Sequence, residues 1–189
     1  MMDMKAFWKI MNESGKLLIV TSVISSIGGV GLESINEKLV VLIPFLILVP
    51  AMNNMVGGFG TVISSRISTM LYMGELKGSN IFKSHKAGNL FILFSIISFI
   101  SAVYISALAS IASVLKGFDL TLVFVAKLLV VTVMITAILA VFIFWLSATA
   151  GVYIFKKDKN PDNFLIPLTT SVADLGSMLL MSGMIVWLF

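Results

Sequence analysis

Cysteine is absent from this chain of 189 residues, and histidine occurs only once, as His85. The lack of cysteine excludes structural disulfides, thiolate metal sites and cysteine nucleophiles. A single histidine excludes a metal cage built from several histidines of one chain. Charge is also scarce, because Asp, Glu, Lys and Arg make up 12% of the residues, about half of their share in soluble domains.

Apolar residues, by contrast, make up 59% of the chain, and the mean hydropathy is +1.08. A soluble domain of this length cannot bury so much apolar surface, so the long apolar stretches must face lipid. Short polar segments separate five such stretches, at residues 17–35, 39–73, 89–115, 120–155 and 164–189. The sequence therefore predicts an all-α integral membrane protein with five transmembrane helices in a lipid bilayer.

The lengths of the five stretches differ. About 20 residues cross a bilayer as a helix, so the first, third and fifth stretches fit single crossings. The second and fourth are too long for one simple crossing, and each either projects into the cytoplasm or breaks within the membrane. In the second stretch a proline, two asparagines and three glycines lie between residues 50 and 60, and we expect that helix to be broken or kinked there.

The basic residues are unevenly distributed. Ten of the 13 would lie on one side of the membrane if every stretch crosses once: Lys5, Lys9, Lys16, Arg66, Lys77, Lys83, Lys86, Lys156, Lys157 and Lys159. The positive-inside rule then predicts a cytoplasmic N-terminus and an external C-terminus. Because the membrane topology explains where the basic residues lie, the net charge of +4 indicates no nucleic-acid partner.

The chain divides into two parts. In residues 1–16, Met4, Phe7, Trp8 and Met11 recur at helical spacing, which predicts an amphipathic segment on the cytoplasmic membrane surface. Residues 17–189 form the predicted pore domain of five helices.

Asp174 is the most informative polar residue, because it lies about 11 residues, or roughly 16 Å, into the fifth stretch, near the middle of the bilayer. Thr170 and Ser171 precede it by four and three residues and project from about the same face, which Ser177 continues. Acids at this depth usually mark an ion path. The alternative is a structural aspartate that is protonated or paired with Lys127 or Arg66.

The start of the fifth stretch contains a second candidate ligand. Pro161, Asp162 and Asn163 are typical of a helix start. Pro167 has no N–H, so the carbonyl of Asn163 loses its helical partner and becomes a candidate cation ligand. The alternative is an ordinary proline in the first helical turn.

Asn53 and Asn54 in the second stretch are expected to line a pore, because carboxamides and unwound carbonyls supply oxygen ligands. Gly57 and Gly58 either line the same cavity or allow close helix packing. Close packing is favoured for the small residues of the first stretch, Ser22, Ser25, Ser26, Gly28, Gly29 and Gly31. Glu33, at the outer end of that stretch, either recruits cations or is simply solvated.

The candidate ligands suggest both an assembly and an ion. One Asp174 supplies a single negative charge, whereas two copies around a two-fold axis supply the charge that a dication needs, and two-fold dimers are the commonest assembly. We therefore predict a homodimer with a pore between the protomers. Oxygen ligands favour Mg²⁺, Ca²⁺ or Mn²⁺, and sparse carboxylates suit a largely hydrated Mg²⁺. We expect the ion to be transported and expect no bound cofactor.

Two segments carry a family resemblance. From Pro50 the chain has P-A-M-N-N-M-V-G-G-F-G, followed from Ser65 by S-R-I-S-T-M, and from Pro161 it has P-D-N-F-L-I-P-L-T-T-S-V-A-D-L-G. The first segment is similar to the proline-alanine opening, glycine-asparagine step and S-R-L-S-T run of the MgtE family of magnesium transporters. The second resembles the P-D-N…P…TS…D segment of the family's solute-carrier relatives in animals. The five-span layout extends the likeness over nearly the whole chain.

This resemblance implies a five-helix protomer, a homodimeric pore and Mg²⁺ passage past Asp174, with Thr170 and the second-stretch break lining the path. Gly58 stands where the family usually has asparagine, so a ligand is missing there or Asn53 or Asn54 replaces it. The cytoplasmic Mg²⁺-sensing domains of bacterial members have no counterpart in this sequence.

We therefore expect a divalent-cation channel or transporter of the plasma membrane and no enzyme, with Mg²⁺ favoured and Mn²⁺ or Co²⁺ as alternatives. Two other functions remain open. A membrane enzyme acting on lipid head groups would need a compact set of interfacial acids, which the sequence does not contain. A non-transporting membrane partner subunit would use Asp174 as a contact between helices.

Overall fold

The computed structural model describes residues 4–76 and 84–189, and between residues 4 and 14 it describes the side chains of Met4, Trp8 and Met11 only. The helices are α1 (Met4–Glu33), α2 (Asn36–Val41), α3 (Ile43–Tyr72), α4 (His85–Leu115), α5 (Leu122–Phe155) and α6 (Pro161–Leu188). No strand occurs in these two ranges. The predicted all-α fold is confirmed.

Five of the described helices are long and apolar enough to cross a membrane: α1 from Gly15 onward, α3, α4, α5 and α6. The chain is thus a multi-pass membrane protein with the predicted number of spans. α1 is continuous over 30 residues, about 45 Å, so its first turns extend beyond the apolar part. The surface location of residues 1–16 and the inside-outside orientation stay predictions, and residues 1–3, Lys77 and Lys83 lie outside the described residues.

The predicted break in the second span is wrong, whereas the alternative of a kink there stays a prediction. α3 runs without interruption from Ile43 to Tyr72 and contains Pro50, and the chain interrupts its helices earlier, at Leu42, between α2 and α3. The reason is energetic. A glycine in a helix costs about 1 kcal/mol, whereas each backbone group left unpaired in hydrocarbon costs several. The helix therefore persists through the weak helix formers, and the hydroxyl of Thr61 also donates to the carbonyl of Gly57 at 3.2 Å.

The last two helices begin at side-chain caps. Thr121 accepts a hydrogen bond from the backbone N–H of Phe124 at 3.2 Å, and Asn160 accepts one from that of Asp162 at 3.0 Å. Pro161 occupies the first position of α6, where its missing N–H costs nothing. The cap of α6 is therefore Asn160, one residue before the Pro161–Asn163 segment that the sequence favoured.

α6 is the central helix of the fold. It packs against α1, α3 and α5, and α4 packs against α3 and α5. Within the described ranges α6 is the only helix that α1 contacts extensively. The core is apolar and comes mostly from α3, α5 and α6, with fully buried Phe45, Leu48, Ile63, Leu128, Ile135, Leu165, Met181 and Ile185.

Glycines bring the helices that flank α6 close to it. A Cβ added at Gly28 of α1 would lie 2.9 Å from the Cα of Leu175, and one at Gly60 of α3 would lie 3.0 Å from the Oγ1 of Thr169. The hydroxyl of Ser182 donates to the carbonyl of Gly31 at 3.0 Å. The expected packing face of the first span is confirmed at Gly28 and Gly31, whereas a Cβ at Gly29 would meet open space.

Candidate functional site

Asp174 lies near the middle of α6. It follows Pro161 by 13 residues in a helix of 28, so it is about 20 Å from the start of a helix about 42 Å long. Its side chain is half-buried and faces α1, where the hydroxyl of Ser25 donates to Oδ2 of Asp174 at 3.2 Å. The close approach of the two helices at Gly28, one turn further along α1, positions these two side chains.

Asp174 has no cationic partner among the described residues. The ion pair found in those residues joins Lys86 and Glu75, at 2.6 Å. Lys127 instead donates to the carbonyl of Leu188 at 2.9 Å, and Arg66 is exposed on α3. The structural alternative of a pair with Lys127 or Arg66 is therefore not found, and Ser25 supplies the hydrogen bond to the carboxylate.

A second pair of polar side chains lies beside Asp174. The Ser177 hydroxyl is within hydrogen-bond reach of the Asn53 side-chain oxygen and of the Asp174 backbone carbonyl, at 3.0 Å. A hydroxyl carries one proton, so Ser177 donates to one of them at a time. Asn53 is half-buried and Ser177 is fully buried. The structure thus brings Asn53 of α3 level with Ser177, one turn after Asp174 on α6.

Thr170 and Ser171 lie one turn before Asp174 and bond to their own helix. The hydroxyl of Thr170 is within hydrogen-bond reach of the carbonyls of Ile166 and Pro167, at 2.9 and 3.1 Å, and donates to one of them at a time. The hydroxyl of Ser171 donates to Leu168 at 3.0 Å. Thr170 is half-buried, whereas Ser171 is 3% exposed, so Thr170 has the more accessible side chain of the two.

Pro167 lies inside α6, at the seventh position of the helix. The alternative of a first-turn proline therefore does not apply, and the missing N–H of Pro167 removes the usual donor to the carbonyl of Asn163. Asn163 itself is half-buried in the first turn of α6. It lies three helical turns from Asp174, so one ion does not contact both residues at once.

The remaining candidates of α3 lie on an open face of the protomer. Asn54 and Gly58 are exposed and Gly57 is half-buried, and a Cβ at either glycine would meet nothing within 4 Å. Close packing within the protomer therefore explains Gly60 but neither of the preceding glycines. At Gly57 and Gly58 the backbone of α3 is not covered by side chains of the protomer.

Glu33 is exposed at the end of α1. It borders an open groove with Ser26, Gly29, Val30 and Ser34. Glu33 itself lies eight residues, or roughly 12 Å along the helix, from Ser25. Glu33 is therefore separate from the Asp174 carboxylate, and it lies at the end of α1, the helix that also contains Ser25.

The polar side chains described around Asp174 offer oxygen ligands: a carboxylate, a carboxamide and hydroxyls. No three His, Cys, Asp or Glu residues come together in the described part of the chain. A single carboxylate with neutral oxygens is too sparse to strip a dication of its water, but it can hold a hydrated one. The arrangement fits transient binding better than a resident metal.

The sequence did not predict the roles of two residues of this site. Ser25 was assigned to a packing face and Ser177 to a polar stripe, yet their hydroxyls bond to Asp174 and Asn53. Ser25 and Asp174 are 149 residues apart in the chain, and helical periodicity relates only residues within one helix. The short spacing between Ser25 and Gly28 was the available signal that this serine lies at a close helix contact.

Comparison with known protein families gives a match over most of the chain. The family model for MgtE, described as a divalent cation transporter, matches residues 49–184, a range that includes Asn53, Asn54, Thr170 and Asp174. Neither a curated protein sequence nor a solved structure matches the chain significantly. The match covers most of the chain and all of α4 and α5. The chain therefore belongs to the MgtE family of divalent cation transporters.

Proposed function

We propose that this protein carries Mg²⁺ across the plasma membrane through a pore between two copies of the chain, past a pair of Asp174 carboxylates. The observation that carries the proposal is the position of Asp174: half-buried near the middle of the apolar helix α6, without a cationic partner in the described residues, and bonded to a hydroxyl. A carboxylate at this depth is costly unless it serves an ion or a proton. Membership of a family of divalent cation transporters favours the ion.

The dimer follows from charge. One carboxylate balances half of the charge of a dication, and at low dielectric the remainder is expensive. A second Asp174 across a two-fold axis supplies the missing charge, and a symmetric pair is the simplest assembly that places identical residues face to face. Because each protomer offers one carboxylate and neutral oxygens, the ion keeps most of its water, which suits Mg²⁺. Mn²⁺ and Co²⁺ are the alternative ions.

The outer face of α3 supports an interface beside the pore. Asn54 and Gly58 are exposed on this face, and added side-chain volume at Gly57 or Gly58 would meet open space in the single protomer. A strip without side chains lets a partner helix or a hydrated ion come close to the backbone. In the proposed dimer Asn54 faces the path, and Asn53 acts from behind it, next to Asp174.

Ser25 has the role of a positioning residue. Its hydroxyl holds Oδ2 of Asp174 against α1 at 3.2 Å and leaves Oδ1 for the ion or its water shell. A carboxylate fixed by a donor on one side loses less freedom when the ion arrives. Ser25 therefore sets the affinity for the ion, and Asp174 supplies the charge.

Mg²⁺ uptake by proteoliposomes tests the function. Asp174→Asn keeps the size of the side chain and one oxygen that can accept from Ser25, and it removes the charge. We expect uptake to fall by at least about tenfold, the effect of roughly 1.4 kcal/mol on ion binding. Asp119→Asn is the matched control, because Asp119 is exposed between α4 and α5 and its loss should leave uptake unchanged. Uptake that is undiminished in Asp174→Asn contradicts the proposed role.

The role of Ser25 needs a separate measurement. Ser25→Ala should raise the Mg²⁺ concentration for half-maximal uptake about fivefold, the effect of one ordinary hydrogen bond, and leave the maximal rate unchanged. Ser25→Thr keeps the hydroxyl and should restore affinity. Ser26→Ala is the control, because the Ser26 hydroxyl donates to the carbonyl of Ser22 on the exposed side of α1. An unchanged or lower half-maximal concentration in Ser25→Ala would mean that Ser25 does not orient the carboxylate.

A further inference from the structure

Two buried hydroxyls between α4 and α5 have no hydrogen-bond partner among the residues that the structure describes. Ser98 is 2% exposed and Thr136 is 1% exposed, and the oxygen of each side chain is unpaired within the described part of the chain. An unpaired hydroxyl in an apolar environment destabilises the fold. Both residues line one cavity of about 100 Å³.

Other hydroxyls on these two helices behave differently. Ser95 and Ser110 of α4 donate to the carbonyls four residues earlier, each at 2.9 Å, and Thr132 of α5 does the same at 2.8 Å. This local bond is the usual solution for serine and threonine inside a helix. Ser98 and Thr136 do not use it, and they face the cavity instead.

The register of the two helices explains the cavity. The hydroxyl of Ser106 donates to that of Thr132 at 3.1 Å. α4 and α5 are joined by a six-residue connection and are antiparallel. One turn from this pair, backward along α4 and forward along α5, Ala102 lies level with Thr136. One turn further in the same direction, Ser98 lies level with Ala140. Alanine side chains are too small to fill the space between the helices.

We infer that this cavity is a binding site for water, with one or more molecules bridging Ser98 and Thr136 inside the membrane. The volume far exceeds the roughly 10–15 Å³ that one water needs. The hydroxyls of Ser98 and Thr136 supply two polar partners, and Ser95, which also lines the cavity, supplies a third oxygen. The cavity has no charged side chain among its lining residues, so a neutral hydrogen-bonding ligand fits and a cation does not.

The site is independent of the proposed ion path. Its lining residues come from α4 and α5, whereas the side-chain partners around Asp174 come from α1, α3 and α6. The bridging water joins two helices where their small side chains leave them apart. Its role is to complete the hydrogen bonding of the α4–α5 contact.

Nuclear magnetic resonance of the protein in lipid nanodiscs tests this inference. With ¹³C-labelled threonine methyl groups, the methyl of Thr136 should show magnetisation transfer from water. The methyl of Thr132 is the matched control, because Thr132 is equally buried but its hydroxyl is already bonded to the protein. Ser98→Ala should weaken the Thr136 transfer. Transfer from lipid methylene groups, or from neither water nor lipid, would overturn the inference.

Thermal unfolding provides a second test of the bridge. Ser98→Ala and Thr136→Val should each lower the melting temperature by about 2–4 °C, and the double variant should lose little more than either single one, because both changes remove the same bridge. Ser95→Ala, at the cavity wall, should have a smaller effect. Additive losses in the double variant would show two independent hydroxyls and refute the bridge.

Discussion

The contact between α1 and α6 allows a quantitative test of how Asp174 is positioned. A Cβ at Gly28 would lie 2.9 Å from the Cα of Leu175, whereas carbon atoms in contact prefer about 3.5–4.0 Å. In Gly28→Ala, α1 must therefore move away by about 0.6–1.1 Å, since a backbone atom cannot rotate aside. A movement of this size takes the hydrogen bond of Ser25 to Asp174, now 3.2 Å, beyond hydrogen-bond distance.

The expected cost of Gly28→Ala is about 1–3 kcal/mol, typical of overpacking. Alanine also favours the helix by up to about 1 kcal/mol, and Gly29→Ala has the same benefit without the clash, because a Cβ at Gly29 meets nothing within 4 Å. The difference between the two variants isolates the contact. By thermal unfolding in detergent, Gly28→Ala should melt about 3–10 °C below Gly29→Ala. Equal melting temperatures would refute the close contact of α1 with α6.

Two further predictions concern buried hydrogen bonds. Ser64→Ala should lower the free energy of unfolding by about 1–3 kcal/mol, because the fully buried hydroxyl of Ser64 lies 3.1 Å from that of Thr169. The control, Ser65→Ala at an exposed position, should change the free energy of unfolding by less than about 0.5 kcal/mol. Chemical denaturation compares the two variants, and equal effects would contradict the buried bond. Lys127→Met keeps the apolar stem of the side chain but loses the hydrogen bond to the carbonyl of Leu188 at 2.9 Å. The loss of this bond, worth about 1 kcal/mol, should make the amide hydrogens in the last turn of α6 exchange several-fold faster. Unchanged exchange would argue against that bond.

The number and approximate limits of the spans could be predicted from sequence because each crossing needs a long apolar segment, and such segments are visible in composition alone. The break expected between Pro50 and Gly60 was wrong because helix propensity in water was allowed to outweigh the cost of unpaired backbone in hydrocarbon. The start of α6 was predicted within the segment from Pro161 to Asn163, and Asn160 just before it is the cap, as expected when a proline occupies the first helical position.

The candidate site was only partly predictable. The depth of Asp174 follows from counting residues along one helix, which sequence supports directly. Its contact with Ser25 depends on how two helices 149 residues apart pack, and no pattern within either helix encodes that. The glycines of α3 illustrate the same limit. Gly60 packs on Thr169, whereas Gly58 faces open space, although the two residues are identical and lie half a turn apart.

The most direct test of the central claim is a structure of the protein with Mn²⁺ in place of Mg²⁺, because the anomalous scattering of manganese locates the ion. The account predicts one ion on the two-fold axis of a dimer, within the reach of one water layer from both copies of Asp174. An ion located elsewhere, or two Asp174 side chains held far apart and sealed from water, would contradict it.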